Sequence, residues 1–153
     1  MKTASWFTEL DNNQVKIGIS RGVPRGIPAG YRMFRALNPG LWFDSVGYEE
    51  YLIRYMRDVL GPLNAASIAA RIKRLAGERE PVLVCYEKPG GPEWCHRAFI
   101  SLWFADKLGL QVPEVGFQPK AFGWSHPLLP PVMRNNAAQL IEKPSVMCFS
   151  PPL

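Results

Sequence analysis

No apolar run in this chain approaches the roughly 18 residues that a membrane span requires, so a helical membrane protein is excluded. The opening stretch, Met1 to Glu9, holds one lysine and no apolar core of signal-peptide length, and nothing in it points to export. Cysteine is scarce and odd in number. Cys85, Cys95 and Cys148 make no disulfide framework, and a reducing, cytoplasmic setting fits them best. There is no Walker-type loop, no Gly-x-Gly-x-x-Gly, no His-Glu-x-x-His and no Gly-x-Ser-x-Gly, so several common enzyme classes lose their support. Acid is missing from the segment Arg21 to Arg35, which carries Arg21, Arg25, Arg32 and Arg35.

What is present describes a folded domain. At 153 residues the chain has the length of one domain, and 47% hydrophobic against 20% charged residues rules out a disordered one. The net charge of +5 suits acidic or phosphorylated partners. A second basic group, Arg71, Lys73, Arg74 and Arg79, reads as the solvated face of a helix.

Gln14 to Ser20 alternates polar and apolar residues and predicts a strand. Arg21 to Pro39 is broken by Gly22, Pro24, Gly26, Pro28 and Gly30, a density that forbids a long element and suggests a functional loop. Asp44 or Ser45 is placed to cap a helix whose apolar stripe is Val46, Leu52, Met56, Val59 and Leu60, and Gly61-Pro62 stops it. A second helix is predicted from about Leu63 to Ala76, buried through Ile68, Ile72 and Leu75. Pro81 to Tyr86 is a continuous apolar run, the pattern of a central parallel strand. A helix opening at Cys95-His96-Arg97 runs to about Leu108 and is apolar nearly all round, and Leu110 to Val115 predicts another strand. The fold expected is α/β: a small three-layer domain with a mainly parallel sheet over residues 1–116. The Pro-rich residues 117–153, with one helix-like stretch from Met133 to Glu142, are expected to form a strap packed on the same domain.

In an open parallel sheet, ligands bind at the carboxyl ends of strands. Two such ends carry chemistry here: Ser20-Arg21, with Arg25 beyond, and Cys85-Tyr86-Glu87, followed by Cys95-His96-Arg97. Arginine offers forked donors that match phosphate, and a helix N-terminus favours an anion. Cys95 at that terminus is expected to have a stabilised thiolate and to be alkylated before Cys85, which lies in an apolar strand. His96 could move a proton, and Glu87 could orient it or act as a base. Ser20, Arg21, Arg25, Cys85, Tyr86 and Arg97 are the expected ligand-binding residues. Cys95, His96 and Glu87 are the expected catalytic ones. The plainer readings are a buried inert Cys85, an exposed Arg97–Glu93 bridge, an incidental His126, and Trp94 as a lid or plug. A metal held by Cys85, Cys95 and His96 is a minor alternative, because the spacing is not that of a zinc finger and adjacent helical residues point about 100° apart. No cofactor is expected.

The ordered set Ile19-Ser20-Arg21-Gly22-Val23-Pro24-Arg25-Gly26, Val84-Cys85-Tyr86-Glu87-Lys88 and Cys95-His96-Arg97 resembles the domain-of-unknown-function 488 (DUF488) family over about residues 15–115. The resemblance implies an α/β fold and a site at these motifs, without a reaction. Three functions follow. The first is a small enzyme, or an enzyme-like binder, of a phosphate-bearing small molecule such as a nucleotide or modified nucleoside. The second is a nucleic-acid-binding module using the basic loop, with Tyr31, Phe34 and Trp42 stacking on bases. The third is a protein-interaction domain using the Pro-rich tail. No membrane partner is expected, and the oligomeric state is open.

Overall fold

The computed structural model describes residues 1–117 and 119–134. Four parallel strands form one sheet in the order β1-β4-β2-β3. They are β1 (Lys2–Ser5), β2 (Gln14–Gly18), β3 (Arg32–Met33) and β4 (Glu80–Cys85). The helices are α1 (Tyr48–Arg54), α2 (Ala65–Ala76) and α3 (His96–Leu108). This is the small α/β domain expected.

β4 lies between β1 and β2, which is why its residues Val82 to Val84 are all fully buried and show no alternation. Leu83 and Cys85 face the larger core with Val15, Ile17 and Ile19 of β2 and its extension, and all three helices pack there. Val82 and Val84 face the other way, with Ala4 and Trp6. That second face is covered by Val23, Ile27, Tyr31 and Met33 from the basic loop. Among the described residues the sheet is therefore covered on both sides, but by helices on one side only.

Several local expectations need correction. β1 carries no conspicuous pattern and was not expected, yet Thr3, Ala4 and Ser5 are buried at the sheet edge. The strand expected over Leu110 to Val115 reduces to a single bridge, Thr3 to Glu114, because Pro113 has no N–H to extend the ladder. α1 begins after Gly47, with no side-chain cap, and the Ser45 hydroxyl bonds the Trp42 carbonyl instead. From Tyr55 to Leu60 the helix widens to a π-turn, which rotates its inner face. Tyr51, Tyr55 and Leu60 are buried there, while the expected stripe residues Val46, Leu52, Met56 and Val59 are half-buried. α2 starts at Ala65 under an Asn64 cap that accepts from the Ser67 amide at 2.9 Å, and Leu75 is exposed, with Ala76 buried in its place.

The described part of the C-terminal segment packs on the domain: Leu128 and Leu129 enter the larger core, and the Cys95 amide donates to the Leu128 carbonyl at 3.0 Å. The helix-like stretch from Met133 to Glu142 lies almost wholly outside the described residues, as do Cys148 and the last prolines.

The Tyr55 hydroxyl donates to the Leu37 carbonyl at 2.6 Å in a fully buried setting. Tyr55→Phe strands that carbonyl, and the expected loss is about 1–2 kcal/mol in a urea unfolding curve. An unchanged midpoint would show that the bond contributes nothing.

Candidate functional site

β2 continues through Ile19 to a tight turn at Ser20. The Ser20 hydroxyl accepts from the Trp6 indole N–H at 2.8 Å and donates to the Gly22 carbonyl at 2.6 Å. Its bonds hold the turn, and the turn presents Arg21 outward. Arg21 is exposed and anchored through Nη1 to the Pro39 carbonyl at 3.0 Å. β4 ends at Cys85, beside Tyr86 and Glu87, and the chain returns through Trp94 to Cys95 at the start of α3.

Ser20, Arg21, Cys85, Tyr86, Glu87, Cys95 and His96 line one cavity of about 680 Å³ at the carboxyl ends of β2 and β4. Its other walls are Gly22, Pro39, Phe43, Tyr51, Pro92, Glu93 and Trp94. Two expected residues are elsewhere. Arg25 is exposed on the basic loop and does not line the cavity. Arg97 is fully buried beneath it, so it meets no ligand directly. Its guanidinium pairs with Glu114 (Nε 3.1 Å, Nη2 2.8 Å), not with Glu93, and Nη2 also donates to the Glu87 carbonyl at 2.8 Å. Arg97 thus ties α3 to the loop that carries Glu87.

His126 is no incidental residue. It is fully buried, its Nδ1 accepts from the Leu128 amide at 3.1 Å, and so Nε2 carries the proton. Nε2–H donates to Thr3 Oγ1 at 2.7 Å, and that hydroxyl donates to Glu114 at 2.6 Å. Burial and the Arg97 charge hold His126 below its ordinary 6.5, although Glu114 pulls it upward. Burial raises Glu114, but the bonds from His126 and Arg97 outweigh it and leave the carboxyl below its ordinary range. Both groups therefore release stability in the same direction. It is fully present above pH 6.5 and is lost as pH falls, first through His126 and then, below the ordinary carboxylate value of 4.5, through Glu114. Between pH 7 and pH 5 the wild type is expected to lose stability relative to His126→Gln, while Glu87 and His96, both raised, act in the opposite direction in both proteins. A difference between the two urea midpoints that stays constant over this interval would take His126 out of the pH dependence.

The floor of the cavity is a sulfur–imidazole cluster. His96 Nε2 lies 3.0 Å from the Ile19 carbonyl, which can only accept, so Nε2 carries a proton and Nδ1 faces the sulfurs. Nδ1 is 3.8 Å from Cys85 Sγ and 3.7 Å from Cys95 Sγ. The expectation that Cys95 and His96 diverge by a helical step is overturned. Cys95 precedes the helix with extended backbone (φ −145°, ψ 144°), and this swings its sulfur to the imidazole. Burial opposes ionisation of Cys95, yet the Cys85 thiol bond and the charges of Arg97 and His96 bring it well below an ordinary thiol. The same bond and burial push Cys85 well above. Burial lowers His96, but the adjacent Cys95 thiolate outweighs it and raises the imidazole. Burial and the Cys95 charge lift Glu87 to about 7, and its Oε2 has no partner among the described residues.

The aromatic wall was missed in the sequence. Tyr51 sits edge-on to Trp42 at 4.9 Å and to Trp94 at 4.8 Å, and Tyr55 packs on His96 at 5.4 Å. The available signal was the i, i+4 spacing of Tyr51 and Tyr55, which puts both on one helix face. The aromatics proposed for base stacking are engaged: Tyr31 edges onto Trp6, Trp42 onto Tyr51, and Phe34 is buried under Arg71.

The chain matches no family model, no curated protein and no solved structure. Among the described residues no helix is long and apolar enough to cross a membrane.

Proposed function

We propose that this cavity is the reaction site of a small enzyme whose ligand joins a flat ring to a phosphate, with nucleotides and modified nucleosides the class that fits. One observation carries the reading. A cavity of about 680 Å³ combines a cation at its mouth (Arg21), aromatic walls (Phe43, Tyr51, Trp94) and a reactive floor (Cys95, His96, Glu87). That is the general construction of a small-ligand site: mostly apolar walls and a few placed polar groups. Arg21 would take the phosphate, and the aromatic wall the ring. Cys95 or His96, with Glu87, would do the nucleophilic or acid–base work. Cys95 Sγ would bond the reacting centre as its bond to the leaving group breaks, and Glu87, whose Oε2 has no partner among the described residues, would give that group its proton. The resemblance to the DUF488 family supports the choice of site, since its three motifs surround this cavity, and it supplies no reaction. Reduced thiols are part of the reading, which favours the cytoplasm.

The test is a panel of nucleosides and nucleotides scored by thermal stabilisation and then by calorimetry. A phosphorylated member is expected to bind, and Arg21→Ala should weaken it at least about tenfold while sparing the unphosphorylated nucleoside. Equal binding of the phosphate form by the variant would remove Arg21 from the site, and a silent panel would end the reading.

A second reading has its own observation. Arg35, Arg71 and Arg74, from both basic groups of the sequence, line one open groove of about 800 Å³ with Phe34 and Leu75. That favours a nucleic-acid backbone along α2. Oligonucleotide affinity should then fall with salt, with a log–log slope of about −0.7 to −0.9 per phosphate contacted. No binding at low ionic strength would discard it.

A further inference from the structure

We propose that Cys85, Cys95 and His96 form a binding site for a zinc-class divalent cation, with its fourth coordination position open to the cavity. The three donor atoms lie within 4.8 Å of one another, which is a mutual grouping and not a chain of pairs. The separations fit a metal. Zinc bonds of about 2.3 Å to sulfur and about 2.05 Å to nitrogen, at tetrahedral angles, place S and N about 3.6 Å apart. The observed Sγ–Nδ1 distances are 3.8 and 3.7 Å, and the two sulfurs, within 4.8 Å of each other, would close toward the roughly 3.8 Å that the same bond length and angle set between them.

The imidazole is oriented as a ligand is. A metal-binding histidine typically gives its other ring N–H to a carbonyl or carboxylate, which fixes the tautomer and aims the free nitrogen. His96 gives Nε2–H to the Ile19 carbonyl at 3.0 Å and turns Nδ1 to both sulfurs. Tyr55 packs against the ring at 5.4 Å and restricts its rotation.

The donor set selects the ion. Two thiolates and an imidazole suit zinc and disfavour magnesium or calcium, which require oxygen. Two thiolates also neutralise a divalent charge, and the nearby Arg97 cation is balanced by Glu114. Three protein ligands with one face on a cavity are the arrangement of a reactive zinc, whereas structural zinc is closed by four. The three donor residues are each at most 4% exposed, and what surface they have faces the cavity, which Glu87 also lines, its Oε2 without a partner among the described residues. Water, the Glu87 carboxylate or a ligand atom could complete the shell. The site goes beyond the small-ligand reading, because it changes what accepts the Cys95 electron pair: the metal, with the ligand polarised in turn.

The experiment uses the full chain, stripped with chelator under reducing conditions and then dialysed against zinc. One zinc per chain is expected by elemental mass spectrometry. Titration with cobalt(II) should give visible bands of tetrahedral strength and a thiolate-to-metal charge-transfer band in the near ultraviolet. Cys95→Ser and His96→Ala should each weaken zinc binding by at least about 100-fold, since even losing a ligand's supporting partner costs 10–100-fold. Cys148→Ser should leave binding intact. If either variant fails to fold, protection decides: zinc should slow maleimide labelling of both Cys85 and Cys95 in the native wild-type protein. Substoichiometric zinc, octahedral cobalt spectra, or unprotected cysteines overturn the proposal. Nucleotide binding by zinc-free protein is scored separately, so failure of the metal site and failure of the small-ligand reading are distinguishable.

Discussion

Glu114→Ala is expected to lower the unfolding free energy by about 3–5 kcal/mol, or roughly 6–20 °C in Tm for a domain of this size. Glu114 and Arg97 are 1% and 0% exposed at their side chains, so removing the carboxylate leaves a guanidinium buried without its counter-charge. Thr3 and His126 lose their acceptor chain in the same step. Arg97→Met should cost a similar amount, and the double variant should cost less than the two singles added, because each single strands the other's charge. The check is a set of urea unfolding curves for the wild type and the three variants at pH 7.5. A Glu114→Ala loss under about 1 kcal/mol, or strict additivity, would show that the pair is solvated in solution. Because Arg97 also holds the Glu87 carbonyl, Glu114→Ala should loosen the cavity as well.

Trp6→Ala is expected to cost about 3–5 kcal/mol by cavity formation. Trp6 is fully buried on the sheet face covered by the basic loop, edge-on to Tyr31 at 5.4 Å. It occupies space that Gly18 leaves free: a β-carbon there would sit 2.5 Å from both the indole and Met33 Sδ. The substitution also removes the donor to Ser20, so the turn presenting Arg21 loses its support. Trp6→Phe should lose less stability, yet it should weaken any phosphate-dependent ligand affinity through the same turn. Thermal melts of both variants, with the nucleotide panel, decide the matter. A melt of Trp6→Ala within 2 °C of wild type would mean that the loop covering this face repacks without loss.

β4, β2 and α3 were legible in the sequence because each is long or strongly patterned, and two motif groups at their ends led to the cavity. Other features were not legible, for identifiable reasons. β1 is four residues, Lys2 to Ser5, with little hydrophobicity, and its burial comes from position in the sheet. Arg97 was read against Glu93, its neighbour one helical turn away, but its partner Glu114 arrives through a later segment whose single bridge to Thr3 has no sequence signature. His126 is buried by the same late contact. Tyr51 and Tyr55 were left out of the apolar stripe read for this helix, yet both are buried, Tyr51 within α1 and Tyr55 where the π-turn begins. The Cys95–His96 geometry depended on one backbone conformation before α3, which spacing alone does not reveal.

The pairing of β1 with β4 has a consequence for the protein as it is being made. Lys2 pairs with Val82, and Ser5 with Cys85, so β1 has no strand partner until about 80 further residues have been made. At about 5–20 residues per second, that wait is about 4–16 s, and Thr3 waits longer still for Glu114. Contacts this distant in sequence form slowly. Trp6 can meet Val23, Ile27, Tyr31 and Met33 well before then, whereas the backbone edge of β1 stays unpaired until β4 arrives. Docking of β1 is then a late event in synthesis, and it waits on the same strand that brings Cys85 to the cavity.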